Sequence, residues 1–203
     1  MIEKEVLEDL RRVGALVTDG HFVYTSGRHG GVYINKDALY PHTEKTSELC
    51  REMARPFEGE EVDFVVAPAL GGIVLSQWIA YHLSQLKGRE ILAVYAEKEG
   101  GSFAIRRGYA ELIARRKILV AEDIVTTGGS VRKIVEMVRA LGGEVIGVTC
   151  LCNRGGVAAG EIGRVPRLVA LATLALESWE ATGCPLCAKG VPIHTQLGKG
   201  GRP

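Results

Sequence analysis

The residues with the clearest chemical potential are two adjacent carboxylates, Glu122 and Asp123, and the loop that follows them. Residues 126–130 read TTGGS, and a helical pattern begins where they end. Free amides at a helix start bind anions, and glycine allows a ligand to approach the backbone, so this loop suits a phosphate group. Carboxylates repel a phosphate unless something lies between them. The vicinal hydroxyls of a ribose would meet that need, and so would Mg²⁺, which prefers hard oxygen ligands.

Two familiar phosphate-binding patterns are absent around this loop. There is no Gly-x-x-x-x-Gly-Lys-Ser/Thr motif, which excludes a nucleoside-triphosphate loop. There is no Gly-x-Gly-x-x-Gly after the strand, which excludes a dinucleotide fingerprint. The open alternatives are a phosphorylated ribose site and an ordinary turn between a strand and a helix.

The elements that must position these residues alternate between strands and helices. Apolar runs predict strands, and apolar residues spaced three and four apart predict helices. The predicted helices cover residues 2–17, 43–57, 71–81 or beyond, and 130–141; the predicted strands cover 64–67, 91–96, 118–121, 145–151 and part of 165–176, with short strands in 22–34. This order predicts an α/β fold with a parallel sheet covered on both faces.

Ligands of such sheets bind beyond the carboxyl ends of the strands. Three segments fall there: residues 68–72, 97–109 and 122–130. Residues 97–109 are polar, basic and glycine-containing, which is typical of a loop or a hairpin. The chain from residue 189 has no periodicity, and residues 198–202 are expected to form a flexible end.

Length and composition narrow the class of protein. The 203 residues fit one domain, and 46% hydrophobic with 24% charged residues is ordinary for a globular protein. A net charge of +1 disfavours a nucleic-acid partner. The charged start lacks an apolar signal region, and no apolar run approaches the roughly 18 residues that span a bilayer. These features predict a cytoplasmic protein without a membrane partner.

Five cysteines, an odd number, argue against a secreted disulfide framework. Cys184 and Cys187 have the Cys-x-x-Cys spacing of zinc sites, whereas Cys150 and Cys152 share a predicted strand. Buried reduced thiols are the favoured interpretation, and a four-thiolate metal site is the alternative.

Residues 118–130 closely resemble the phosphoribosyl-pyrophosphate (PRPP) signature of type I phosphoribosyltransferases. The resemblance implies that Glu122 and Asp123 bind the ribose hydroxyls and that the following loop binds the 5-phosphate. It also implies the fold of that family, a parallel twisted sheet flanked by helices, with a small amino-terminal hood.

The implied organisation is a single phosphoribosyltransferase domain over residues 1–203. The hood would comprise about residues 1–40 and a carboxy-terminal segment, and the core about residues 41–175, with a flexible tail over 190–203.

Further segments resemble the orotate phosphoribosyltransferases, a group within this family. Residues 22–28 with 33–35 resemble their Ser-Gly-Arg segment, and residues 67–73 resemble their pyrophosphate loop. Residues 96–99 with 106–108 resemble a short form of their mobile loop. Residues 152–154 resemble the strand end whose arginine binds the orotate carboxylate, and residues 184–192 resemble the tail of a bacterial subgroup. The charge of Arg154 also suits an acidic base, because a guanidinium binds a carboxylate bidentately. A surface arginine is the alternative.

The resemblance implies a set of site residues. Those assigned to catalysis are Lys98, Arg106 and Arg107, where the two arginines would supply charge that the short loop lacks. Those assigned to orotate are Ser26, Gly27, Arg28, Thr126 and Arg154. Those assigned to PRPP are Ala69, Leu70, Gly71, Gly72, Lys98, Glu122, Asp123, Ile124, Val125, Thr126, Thr127, Gly128, Gly129 and Ser130. Mg²⁺ would be held mainly by PRPP, with Asp123 as a further ligand.

The implied reaction makes orotidine 5'-monophosphate and pyrophosphate from PRPP and orotate, within pyrimidine synthesis. A homodimer is implied as well, in which residues 97–109 contribute to the neighbouring active site. Two alternatives stay open. One is the same chemistry on a purine, and the other is a ligand-sensing regulator without catalysis. Such regulators usually carry an added helical DNA-binding segment, whereas one short helix precedes the predicted core here.

Overall fold

The computed structural model describes residues 3–24 and 26–198. The flexible end predicted for residues 198–202 therefore lies outside the described residues, apart from Gly198. The helices are α1 Glu3–Arg12, α2 Thr43–Ala54, α3 Gly71–Lys87, α4 Gly129–Ala140 and α5 Pro185–Ala188. The strands are β1 Leu16–Val17, β2 Phe22–Val23, β3 His29–Gly30, β4 Tyr33–Ile34, β5 Phe64–Pro68, β6 Leu92–Glu99, β7 Ser102–Ala104, β8 Lys117–Val125, β9 Glu144–Asn153 and β10 Leu168–Thr173.

The described residues form two compact units, and the first comprises those up to Val6 together with Thr43–Leu174. It contains a six-stranded sheet in the order β10-β9-β8-β5-β6-β7. Every neighbouring pair is parallel except β6–β7, which is an antiparallel hairpin. The predicted α/β sheet is therefore confirmed. Its parallel order brings the carboxyl ends of β5, β8 and β9 to one edge.

The sheet is covered on both faces, as the sequence predicted. All five residues of β5 are buried. Phe64 and Val66 belong to a core cluster that includes Val131, Ile134 and Val138 of α4. Alternate strand residues face opposite sides, so Val65 points to the other face. Helices α2 and α3 pack on each other, and α3 also contacts β5, β6 and β8.

Several element boundaries differ from the sequence-based expectation. Helix α1 ends at Arg12 rather than at residue 17, because Leu16–Val17 pair with β4 as a short strand. Strand β8 continues to Val125, four residues beyond the predicted end at Ala121. The last strand of the sheet covers only Leu168–Thr173. Of the two structures considered for residues 97–109, the hairpin is present, formed by β6 and β7.

The second unit comprises Leu7–His42 and the described residues from Ala175 onward. It contains two antiparallel pairs, β1–β4 and β2–β3, and the carboxy-terminal segment pairs with the second of these. The His29 amide donates to the Trp179 carbonyl at 2.8 Å, and the Trp179 amide donates back at 2.9 Å. Within the predicted tail, the His194 amide donates to the His21 carbonyl at 2.7 Å.

Candidate functional site

The acidic pair lies within β8 rather than after its end. Glu122 and Asp123 are buried, with exposed fractions of 6% and 5%. The pairing of β8 with β9 runs through Glu122 and on to Val125 opposite Asn153, which explains why the strand continues past the apolar run. The Asp123 amide donates to Glu122 Oε1 at 3.0 Å, and the Ile124 amide donates to Asp123 Oδ1 at 2.7 Å. These bonds hold both carboxylates beside the loop.

The loop of hydroxyls and glycines leads into α4, which begins at Gly129. Gly128 has a φ of +72°, and a Cβ there would lie 2.4 Å from Ile162 Cγ2, so only glycine fits. Thr126, Thr127 and Ser130 are exposed. The loop surrounds a cavity of about 110 Å³ lined by Glu122, Ile124, Val125, Thr126, Thr127, Gly128, Gly129, Ser130 and Val131. A helix start with free amides and hydroxyl donors can bind a dianionic phosphate.

The end of β9 contributes Arg154 and, around it, a turn that sequence reasoning missed. Arg154, which was assigned to orotate, follows β9, and its amide donates to the Val125 carbonyl at 2.8 Å. The Asn153 side chain closes the next turn with two bonds to Val157, of 2.9 and 3.0 Å. A Cβ at Gly155 would lie 1.8 Å from the Thr126 carbonyl oxygen. The Gly155-Gly156 pair in the sequence was the available signal for this close approach.

Residues 69–72, assigned to pyrophosphate, connect β5 to α3 at the same edge of the sheet. The Ala69 amide donates to the Ala96 carbonyl at 2.8 Å, and the Ala69–Leu70 peptide bond is cis. Leu70 is 83% exposed. A Cβ at Gly72 would lie 2.8 Å from the Ala67 Cβ, so glycine allows α3 to start close to β5.

The hairpin β6–β7 carries Lys98, and both arginines assigned to catalysis follow it. Lys98, Ser102 and Ser130 line a cavity of about 340 Å³. Arg106 forms an ion pair with Glu99, and Arg107 pairs with Glu97 at 3.3 Å. The two arginines are thus bound to carboxylates of their own hairpin. Exposed pairs of this kind contribute little energy, so a polyanionic ligand can compete for the arginines.

The Ser26-Gly27-Arg28 segment forms the turn between β2 and β3 in the second unit. The Gly27 amide donates to the Tyr24 carbonyl at 2.9 Å, and Gly27 has a φ of +83°. Arg28 Nε donates to Ser178 Oγ at 2.9 Å, and its guanidinium also binds Glu180 at 2.5 Å. These two carboxy-terminal partners of Arg28 were not found from the sequence.

The five cysteines are free thiols, and they differ in setting. Burial raises the pKa of Cys50 to about 12 and that of Cys152 to about 11, and it raises the pKa of Cys150 as well. Such thiols stay protonated at neutral pH and do not bind metals readily. They agree with the favoured interpretation of buried reduced thiols. Cys184 and Cys187 lie in the second unit, and the other three cysteines lie in the first.

Comparison with known proteins identifies the family. The family model described as a phosphoribosyl transferase domain matches residues 39–161. An orotate phosphoribosyltransferase of Desulforamulus reducens is 36% identical over 192 residues, which cover 95% of both chains. Another from Caldanaerobacter subterraneus is 35% identical over 95% of this chain and 96% of its own. The chain belongs to the orotate phosphoribosyltransferase family.

A solved structure agrees with this membership. The crystal structure of orotate phosphoribosyltransferase from Aeropyrum pernix superposes with a TM-score of 0.67 at 28% identity, covering 83% of this chain and 93% of that one. The predicted phosphoribosyltransferase family and its fold of a mostly parallel sheet flanked by helices are therefore confirmed. None of the helices in the described part of this phosphoribosyltransferase combines the length and apolarity needed to cross a bilayer.

Proposed function

We propose that the chain is an enzyme that transfers the ribose-5-phosphate of PRPP to orotate, giving orotidine 5'-monophosphate and pyrophosphate in UMP synthesis. The single observation that carries this proposal is the arrangement at the ends of β8 and β9. There the acidic pair, a loop suited to phosphate and Arg154 meet in a member of the orotate phosphoribosyltransferase family.

The sugar phosphate is bound by β8 and the loop after it. The amides and hydroxyls of residues 126–130 bind the 5-phosphate, with additional stabilisation from the dipole of α4. Glu122 and Asp123 accept hydrogen bonds from the ribose hydroxyls. A carboxylate has about four acceptor positions, so one group can accept hydrogen bonds from the backbone and from a sugar together. These carboxylates bind the sugar and do not act as acid–base catalysts.

Mg²⁺ would enter with the diphosphate of PRPP, and the residues present fit it. Asp123 offers hard carboxylate oxygens of the kind that Mg²⁺ prefers. When bound, the ion neutralises charge that develops on the departing pyrophosphate. The backbone of residues 69–72 binds the pyrophosphate, and the positive charges of Lys98 and of Arg106 or Arg107 stabilise it as it leaves.

The reaction breaks one bond and forms one at the anomeric carbon. The C1–O bond to pyrophosphate breaks and the electron pair leaves with it, while a ring nitrogen of orotate forms the new C1–N bond from the opposite face. Attack from that face inverts the configuration at the carbon, and the nitrogen releases its proton to solvent. Catalysis consists of stabilising the leaving group and holding the reactants in line.

Orotate is bound through its carboxylate by Arg154, with Thr126 and the segment Ser26-Gly27-Arg28 as further contacts. Purified protein should turn over orotate with PRPP and Mg²⁺, and should not turn over adenine, hypoxanthine or uracil at comparable rates. Absence of orotate turnover at high substrate and Mg²⁺ concentrations would refute the proposal, and preference for a purine would reassign the base.

The variant Arg154→Ala tests the orotate contact separately. Losing a charge-assisted bidentate pair costs about 1.5–3 kcal/mol, so KM for orotate should rise roughly 10- to 100-fold. KM for PRPP should change much less, and Arg154→Lys should be intermediate. Arg51→Ala on α2, where the arginine lies beside Glu52, is the matched control and should leave both constants unchanged. Equal changes in both KM values would argue against a carboxylate contact.

We also propose a homodimer in which the second unit forms the hood and the β6–β7 hairpin contributes Lys98 to the neighbouring site. A mixture of two inactive variants, Lys98→Ala and Glu122→Ala, tests the sharing of sites. If the hairpin serves the neighbouring site, mixed dimers contain one intact site and activity returns. If Lys98 acts beside Ser130 of its own chain, with which it lines a cavity, the mixture stays inactive.

A further inference from the structure

A compact group of metal-ligating side chains lies entirely within the second unit. It consists of His21, His29, Cys184 and Cys187, whose ligand atoms all lie within 4.8 Å of one another. His21 directly precedes β2 and His29 is the first residue of β3, while Cys184 directly precedes α5 and Cys187 lies within it. Two nitrogen and two sulfur donors from segments more than 150 residues apart therefore converge on one point.

The distances between donor atoms fit a tetrahedral zinc ion. Bond lengths of about 2.05 Å to nitrogen and 2.3 Å to sulfur place a nitrogen and a sulfur about 3.6 Å apart. Cys184 Sγ and Cys187 Sγ lie 3.6 and 3.7 Å from His21 Nε2, and Cys187 Sγ lies 3.4 Å from His29 Nδ1. The two ring nitrogens are 2.9 Å apart, so an ion would move them apart by about 0.4 Å.

The tautomer of His21 is fixed with the proton on Nδ1, which leaves Nε2 able to bind a metal. His21 Nδ1 lies 2.7 Å from the Val191 carbonyl oxygen, which can only accept, so Nδ1 carries the proton. The lone pair of Nε2 then points at the other three ligand atoms. Metal-bound histidines commonly donate their second nitrogen to a backbone carbonyl in this way.

The local backbone supports the cysteine pair. Cys184 precedes α5, and Pro185 provides the fixed φ suited to a helix start. The Ala188 amide donates to the Cys184 carbonyl at 3.1 Å, and the Gly190 amide donates to the Cys187 carbonyl at 3.0 Å. The resulting turn directs both thiols to the same side, as the two-residue spacing of structural zinc sites requires.

The site is enclosed by protein. His21, His29 and Cys184 have exposed fractions of 1%, 7% and 3%, and only Cys187 of the four is exposed. Four protein ligands complete a tetrahedron and leave no position for water or substrate, which is typical of a structural site. Two thiolates and two imidazoles select zinc over Mg²⁺, which prefers oxygen ligands.

We propose that His21, His29, Cys184 and Cys187 bind one structural zinc ion that joins the β2–β3 hairpin to the carboxy-terminal segment. This site is separate from the PRPP chemistry and does not depend on the proposed function. Binding displaces the protons of the two thiols and forms two sulfur–zinc and two nitrogen–zinc bonds, with no change in oxidation state. A unit of this size has few buried apolar side chains, and small units commonly need a metal or a disulfide for stability. The zinc ion supplies that stability.

The full-length protein, purified in reductant without chelator or affinity tag, provides the first test. Elemental analysis should find one zinc per chain. Replacement of zinc by cobalt should give the intense ligand-field absorption of a tetrahedral ion together with thiolate-to-cobalt charge-transfer bands. Substoichiometric zinc combined with no such cobalt spectrum would overturn the proposal.

Substitutions assign the ligands. Cys187→Ser and His29→Ala should each lower zinc affinity by more than about tenfold, because losing even a residue that only orients a metal ligand typically costs about 10- to 100-fold. His42→Ala, an exposed histidine of the same unit, and Cys50→Ala, a thiol of the first unit, should keep one zinc per chain. If the ligand variants do not fold, the cobalt spectrum of the unaltered protein still decides. Unchanged zinc affinity in both ligand variants would refute the assignment.

Discussion

Gly155 approaches the phosphate loop so closely that no larger residue fits there. The Cβ of an alanine would lie 1.8 Å from the Thr126 carbonyl oxygen, so Gly155→Ala must displace the loop. Overpacking of this kind costs about 1–3 kcal/mol, and we expect KM for PRPP to rise about tenfold or more. Steady-state kinetics with varied PRPP measure this effect.

The control for this substitution lies five residues further along the chain. Gly160→Ala places its Cβ where no atom lies within 4 Å, and its backbone has no positive φ. Its KM for PRPP and its melting temperature should match those of the unaltered protein. If Gly155→Ala behaved like Gly160→Ala, the contact between the two loops would have no role in the site.

Buried thiols make the fold sensitive to alkaline pH. Burial raises the pKa of Cys152 to about 11 and that of Cys50 to about 12 from an ordinary 9.0, so the folded chain keeps these protons longer than the unfolded chain. Their contribution to the free energy of unfolding is complete below pH 9 and declines as the pH rises toward those values. Melting temperature in reductant should fall over this range, and the double variant Cys50→Ala/Cys152→Ala should fall less steeply. Equal slopes would contradict the prediction.

At the scale of elements, a charged hydrogen bond adds to the apolar packing between the β6–β7 hairpin and α4. Lys133 Nζ donates to the Gly101 carbonyl at the hairpin turn. Lys133→Ala should increase amide hydrogen exchange across residues 99–104, because the turn loses its bond to the helix. Arg132→Ala is the control, since that side chain pairs with Glu136 on the same helix at 3.0 Å. Unchanged exchange in Lys133→Ala would show that the hairpin is ordered by its own strand pairing.

The sequence predicted the type and order of the core elements but not all their limits. Apolar runs located β5 and β8, and the helix expected from residue 71 begins there as α3. The extension of β8 through Glu122 was not predictable, because it results from pairing with β9, which local periodicity does not report. The close approach of Gly155 to Thr126 was not predicted for the same reason, because the two residues are distant in the chain.

The candidate metal cluster shows the limit of spacing arguments. Cys-x-x-Cys spacing was visible in the sequence, but the histidine nearest to it in the chain, His194, is not a member of the cluster. His21 and His29 reach the cysteines only through strand pairing and the bridge of His29 to Trp179. Long-range pairing of that kind is set by the whole fold. The sequence-based alternative therefore grouped Cys184 and Cys187 with Cys150 and Cys152, whereas the candidate cluster groups them with His21 and His29.

At the scale of the whole molecule, the two units differ in what stabilises them. The first unit has an extensive apolar core between sheet and helices, whereas the proposed zinc ion contributes to the second. Treatment with a strong chelator in reductant should accelerate hydrogen exchange in residues 21–30 and 184–191 and leave β5 and β8 protected. Exchange that is unchanged everywhere, or that increases equally in both units, would contradict this prediction. Restoring zinc should reverse the effect.

The second unit is built from both ends of the chain, whereas Thr43–Leu174 of the first unit are continuous. During translation the β2–β3 hairpin is made before the continuous segment Thr43–Leu174, whereas Cys184 and Cys187 are made after it. The core can therefore fold while synthesis continues, as domains generally do. The second unit must wait until the residues from Ala175 onward have been made, so capture of the metal would follow folding of the core. A ribosome stalled shortly before residue 184 would display a finished sheet with an incomplete partner unit.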